Sequence, residues 1–272
     1  MHNGYSRVVE HLLAEAQRNP NFRYQLDRTV TRISHQAEIV VLRATNGTNM
    51  EANNVVVTVP LGVLKAKAID FDPPLPPRRL QSIDRLGFGT LEKVIVRYDA
   101  IWWDLPFYTT LQLHPIVPLH EAIIVEIFNM AAAHAHRPPI LIVVIPPADV
   151  PAFSRLSEAE AIDWAHRALV ARLAPTVPPA GPVGGIKTEW LNSPYSRGAY
   201  SYVAVGSSPL DQLEVAHPLW EGQLGFAGEH THVDVRLSVR LLCDQELTKT
   251  KCYVRTAQSA ELLSLSSRAH RA

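Results

Sequence analysis

Lys93 is the first residue of this chain to raise a chemical question. It lies in an apolar run with Leu91, Val94 and Val96, where a lysine ordinarily takes the solvent face of an alternating strand. Placed in apolar surroundings, the same group is costly to keep charged and sets the local electrostatics. Trp190, Tyr195 and Tyr200 form a second set. Aromatic faces attract a cationic amine and pack flat against its methylenes, although in an unknown fold such residues are usually core. Gly228-Glu229 follows the short apolar run Gln223–Ala227. A strand-to-turn site of that kind lets backbone N–H groups and a carboxylate meet the sugar and pyrophosphate of a dinucleotide, but an isolated Gly-Glu pair says nothing. Val30 looks like any β-branched strand residue. His134 with His136, and His230 with His232, are two apart but lack carboxylates or cysteines at ligand spacing, so they read as polar loop residues. Gly87-x-Gly89 lacks a third glycine and precedes a strand, so it is no dinucleotide fingerprint.

The elements that must position these residues follow from patterning. Ser6–Gln17 is expected to be a helix with Val8, Val9, Leu12 and Leu13 on one face. Strands are expected at Val30–Ile33 and Glu38–Leu42, followed by a type I′ hairpin turn at Asn46-Gly47. Val55–Val59 reads as a buried strand. The proline-rich run Phe71–Pro77 reads as a stiff crossover between subdomains, because proline removes donors and fixes φ. Further strands are expected at Leu91–Val96, Ala122–Phe128, Ile140–Ile145, Ile186–Trp190, Tyr200–Val205 and Gln223–Ala227. Ser157-x-x-Glu160 is a capping box opening a helix striped by Ile162, Ala165, Leu169 and Leu173. Pro175–Pro182 reads as a linker. Leu86 and Phe88 are expected in the core. The fold class is α/β (α+β).

Composition narrows the function classes. With 26 basic and 26 acidic residues, the chain has no net charge to steer it to nucleic acid or an anionic membrane. The longest apolar stretch, Pro138–Pro147, is too short to span a bilayer, and Met1–Glu10 has no apolar signal region. Cys243 and Cys252 are the only cysteines, which excludes a disulfide framework for the main body and favours an intracellular compartment.

Several segments resemble flavin-containing amine oxidases, in the same order along the chain. They are Asn3-Gly4-Tyr5-Ser6, Asn54–Lys65, Ile69–Pro76, Leu86–Val94, Ser193–Tyr202 and Phe226–Thr231. The similarity is strongest to polyamine oxidases and flavin-type histone lysine demethylases. It implies FAD as cofactor and oxidation of an amine to an imine, then an aldehyde, with O₂ reduced to hydrogen peroxide. It implies that Lys93 holds a water near the flavin, and that Tyr200, Tyr195 and Trp190 wall the amine's path. Val30, Gly228, Glu229 and Thr231 would contact FAD. The resemblance further implies a discontinuous partial FAD-binding lobe at 1–70 and 216–232, a substrate lobe at 71–215, and a divergent tail at 233–272.

Against the family pattern, the chain shows no G-x-G-x-x-G unit before Tyr5 and no glycine after Gly228. It reads as a C-terminal fragment that holds FAD weakly and leaves a face for a partner chain to cover. The competing expectations are a non-catalytic remnant acting as a binding module, and another flavoenzyme of the same broad fold. Lys93 and the aromatic segment Tyr195–Tyr202 argue against the latter.

Overall fold

The computed structural model describes residues 6–104, 109–110, 126–133, 136–173, 175–177, 179–233 and 251–254. The first elements are α1 (Ser6–Gln17), β1 (Val30–Gln36), β2 (Ile39–Ala44), β3 (Asn49–Ala52), β4 (Asn54–Val57), α2 (Leu61–Lys65), β5 (Asp70–Asp72), α3 (Pro77–Arg85) and β6 (Gly87–Gly89). Next come β7 (Glu92–Arg97), β8 (Thr109–Thr110), β9 (Glu126–Asn129), α4 (Met130–Ala133), β10 (Ile140–Ile145), α5 (Val150–Phe153), α6 (Glu158–Leu173) and β11 (Gly184–Lys187). The chain continues through β12 (Tyr200–Tyr202), α7 (Pro209–Ala216), β13 (Leu224–Phe226) and β14 (Lys251–Val254), with 3₁₀ turns at Trp220–Gly222 and Glu229–Thr231. The fold is mixed α/β.

Two compact units divide the chain. One comprises Met1–Gly87, Pro194–Ser196 and Ser201–Ala272, the other Phe88–Ser193 and Arg197–Tyr200. The first division falls at Gly87, beyond the proline run at 71–77. The reason is that β5 pairs with β1 and α3 packs on α7, so both stay in the first unit. Pro77, expected in an irregular crossover, is instead the first residue of α3. A proline there loses no hydrogen bond, because the first helical N–H has no intrahelical acceptor.

The first unit is built on two sheets. One has the order β3-β2-β1-β5, and Ile33, Val40 and Leu42 from its centre are fully buried. The hairpin between β2 and β3 forms at Asn46-Gly47, but not as type I′, since of the two residues only Gly47 has positive φ. Asn46 Oδ1 instead accepts the Thr48 N–H at 3.1 Å, a side-chain turn that removes the need for left-handed backbone at Asn46. The other sheet has the order β13-β4-β14, with both outer strands parallel to β4. Helices α3 and α7 are pinned together by Asp211, which accepts from Ser82 Oγ at 2.8 Å and from the Arg85 guanidinium. Helix α1 forms where the spacing predicts, yet buries no residue, and Leu12 is 61% exposed.

The second unit carries the sheet β11-β7-β10-β9-β8. Its inward residues Val94, Val96, Ile127, Leu141 and Val143 pack with Phe153, Trp164, Ala165 and Leu169 from α5 and α6. The capping box at the start of α6 is present: Glu160 Oε2 accepts from the Ser157 N–H at 2.8 Å, and Ser157 Oγ accepts from the Glu160 N–H at 3.3 Å. Of the strand expected at Ala122–Phe128, residues 122–125 lie outside the described residues, as do His134, Cys243 and most of the tail.

Candidate functional site

Strand β7 alternates buried and half-buried along its length, so Glu92, Val94 and Val96 face the helices. Lys93, Ile95 and Arg97 therefore take the opposite face. Lys93 is half-buried there, beside Val144 of β10 in register. Its backbone is held by Thr188: the Lys93 N–H donates to Thr188 Oγ1 at 2.7 Å, and the Thr188 N–H donates to the Lys93 carbonyl at 3.0 Å. The same hydroxyl donates to Glu92 Oε2 at 2.5 Å, and Glu92 Oε1 accepts the Leu191 N–H at 2.9 Å. Burial pushes the Glu92 carboxyl above its ordinary value, opposed by Thr188 and by the Leu191 and Trp190 N–H groups. Lys93 and the turn carrying Trp190 thus share one hydrogen-bonded network, which no local motif signals.

Tyr200, in the same unit, is 42% exposed. Its ring lies so close to Gly89 that a Cβ there would come within 2.9 Å of Tyr200 Cζ. In the first unit Tyr202 lies over Gly87 in the same way, at 2.4 Å from an added Cβ. The Gly-x-Gly pair is therefore a landing place for two tyrosine rings, not a phosphate loop. Phe88 between them is half-buried, whereas Leu86 is in the core as expected.

The remaining expected positions lie in the first unit. Tyr195 is half-buried, and Val30 opens β1 opposite Ala44 next to an irregularity in the pairing. Parallel β13 and β4 run side by side, and the turn at the carboxyl end of β13 holds Gly228, Glu229 and Thr231. Carboxyl ends of parallel strands are where such sheets bind ligands. Gly228 has φ 151°, a conformation that side-chain-bearing residues rarely adopt. Thr231 closes the turn, its hydroxyl donating to the Gly228 carbonyl at 2.7 Å. Glu229 is exposed and accepts from Ser201 Oγ at 2.6 Å and from the Ser201 N–H at 3.2 Å. His230, expected as a polar loop residue, is 2% exposed because the turn folds its ring under Gly228. Burial lowers its pKa to about 4, and its Nε2 has no partner among the described residues. A turn without a Cβ, an exposed carboxylate and an unsatisfied buried nitrogen fit the seat of a polar cofactor. Among the described residues no group of His, Cys, Asp and Glu could hold a metal ion.

The sequence pattern described as flavin containing amine oxidoreductase matches residues 1–236. The chain belongs to that family. This family member is 32% identical over 239 residues to "Lysine-specific histone demethylase 1 homolog 3" of Arabidopsis thaliana, covering 84% of the chain and 14% of the relative. It is 30% identical over 236 residues to "Polyamine oxidase 5" of Oryza sativa subsp. japonica, covering 86% of the chain and 44% of the relative. The chain thus spans less than half the length of these curated relatives. A putrescine oxidase structure with putrescine bound superposes with a TM-score of 0.66 at 22% identity, covering 88% of this chain and 52% of that one, which shows the shared fold. As a member of a flavin family, the chain has FAD as its implied cofactor. Among the described residues no helix is long and apolar enough to cross a membrane.

Proposed function

We propose that this flavin amine oxidoreductase chain supplies the substrate wall and part of the FAD seat for oxidation of a small polyamine-like amine. When bound, FAD supplies the acceptor for a hydride from the carbon beside the amine nitrogen. Lys93 holds a water at the reacting edge, while Trp190, Tyr195 and Tyr200 orient the amine through their faces and edges. Gly228, Glu229, Thr231 and Val30 hold the cofactor. In this reading the FAD-binding residues lie at 1–70 and 216–232 and the substrate residues at 71–215. The observation that supports it most directly is Lys93 on the half-buried face of β7, its backbone tied to the Trp190 turn inside a family match covering most of the chain.

The test is peroxide production by residues 1–272 in saturating FAD, with spermidine offered in one arm and a dimethyl-lysine peptide in the other. Spermidine-dependent peroxide is expected. A preference for the peptide would overturn the polyamine class. A second reading, a non-catalytic remnant acting as a binding module, is favoured by one observation: Ser201 already satisfies the Glu229 carboxylate. No peroxide from either arm, with FAD shown to be bound, would establish that reading instead.

A further inference from the structure

We propose that Glu92 is a positioning residue for Trp190, its buried carboxylate fixing the turn Thr188–Leu191 against strand β7. The proposal rests on the reading of Trp190 as a residue facing the amine. Strand β11 ends at Lys187, so Trp190 and Leu191 have no sheet partner for their N–H groups. Glu92 supplies the acceptor. Its Oε1 takes the Leu191 N–H at 2.9 Å, the Trp190 N–H also donates to the carboxylate, and Oε2 takes the Thr188 hydroxyl at 2.5 Å. A fully buried carboxylate is costly to keep, and it persists where several donors converge on it.

Core packing alone does not call for this group. The neighbouring buried amine, Lys187, is engaged elsewhere, donating to the Ser154 and Leu156 carbonyls and to Glu189. No ion pair reaches Glu92 among the described residues; the turn's own donors meet its charge first, and Lys187 adds a weaker attraction from further off. Thr188 makes the arrangement two-sided, because its hydroxyl donates to Glu92 and accepts from the Lys93 N–H. One carboxylate and one hydroxyl therefore fix the backbone of Lys93 and the turn of Trp190 together. Gln in place of Glu92 keeps the shape, but it has one acceptor oxygen where the carboxylate has two.

The test uses the full chain with fluorotryptophan incorporated, read by fluorine NMR and amide hydrogen exchange for Glu92→Gln, Thr188→Val and Thr188→Ser. Glu92→Gln and Thr188→Val are expected to move the Trp190 fluorine signal. Losing hydrogen bonds to a charged acceptor should also speed exchange at the Trp190 and Leu191 amides by roughly tenfold or more. The Trp103 and Trp164 signals should stay in place, and Thr188→Ser, which keeps the hydroxyl, should restore the native spectrum. An unmoved Trp190 signal in Glu92→Gln, or loosening spread evenly over the sheet, overturns the proposal. Adding spermidine to the wild-type chain separates it from the reading beneath it. A Trp190 signal that follows Glu92 yet ignores spermidine removes the amine-facing role and leaves the turn's dependence on Glu92 intact.

Discussion

Replacing Arg79 by methionine should leave the first unit about as stable as it is now, although Arg79 is its largest fully buried side chain. The guanidinium has no solvent exposure, and its Nε and Nη1 have no hydrogen-bond partner among the described residues. Nη2 donates to the His217 carbonyl, the group lies 4.9 Å over the Phe226 ring, and Glu214 stands 4.0 Å from Nε. Burial, countered in part by Glu214, lowers the guanidinium's pKa to about 10. At about 1.4 kcal/mol per unit, that places the penalty on the charged form at about 3 kcal/mol. A hydrogen bond to a charged donor returns about 1.5–3 kcal/mol and a cation–π contact about 1 kcal/mol, so the sum is near zero. Glu214 keeps a cation after the change, since Arg78 Nε lies 2.9 Å from it. Arg79→Met, which fills similar space, should shift stability by no more than about 1 kcal/mol, whereas Arg79→Ala leaves a void and should cost about 2–4 kcal/mol. Urea unfolding followed by circular dichroism measures both. A loss above about 3 kcal/mol for the methionine variant would mean that the buried guanidinium is held by a further partner and contributes net stability.

Gly228→Ala forces a side chain into φ 151° and places its Cβ 2.8 Å from His230 Cε1, so it should lower the melting temperature by several degrees, as calorimetry would show. His230, with its folded pKa lowered to about 4, binds fewer protons when folded than when unfolded. Its contribution is therefore present above the unfolded value of about 6.5 and lost as pH falls towards the folded one. Unfolding free energies measured across that window should decline for the wild type and less steeply for His230→Gln. In a longer version of the protein that carries a G-x-G-x-x-G unit and the family's usual C-terminal segment, Lys93→Met should leave FAD binding unchanged and slow amine oxidation or flavin reoxidation at least about tenfold, which stopped-flow absorbance resolves. Equal rates would remove Lys93 from the reaction.

What could be read from the sequence was what local pattern determines. The alternation around Lys93 gave β7, although the face expected in solvent is half-buried, the Ser157–Glu160 pair gave the start of α6, and Ser6–Gln17 gave α1 with its limits. Contacts made over long separations were hidden. Glu92 meets Thr188 from 96 residues away, and Ser201 meets Glu229 from 28 residues away, with no sequence signal beyond residue type. Helices α3 and α7 escaped because each is short and opens on a proline that reads first as a breaker. The Gly87 and Gly89 pair was legible only as an exclusion. That aromatic rings need bare backbone beneath them emerges once β12 is in place.

Strand β4 lies between β13 and β14, so neither of its neighbours in that sheet is nearby in sequence. Its residues Val55, Val56 and Val57 are all buried in the finished fold, yet β13 begins only at Leu224, after the entire second unit. A ribosome adding about 5–20 residues per second leaves that valine run without its sheet for roughly 10–30 s. In that interval the second unit, nearly continuous in sequence, can fold by itself, while the first remains an open sheet edge of the kind that invites aggregation. Synthesis rate and chaperone supply should therefore govern the yield of soluble protein more strongly than the stability of the finished fold does.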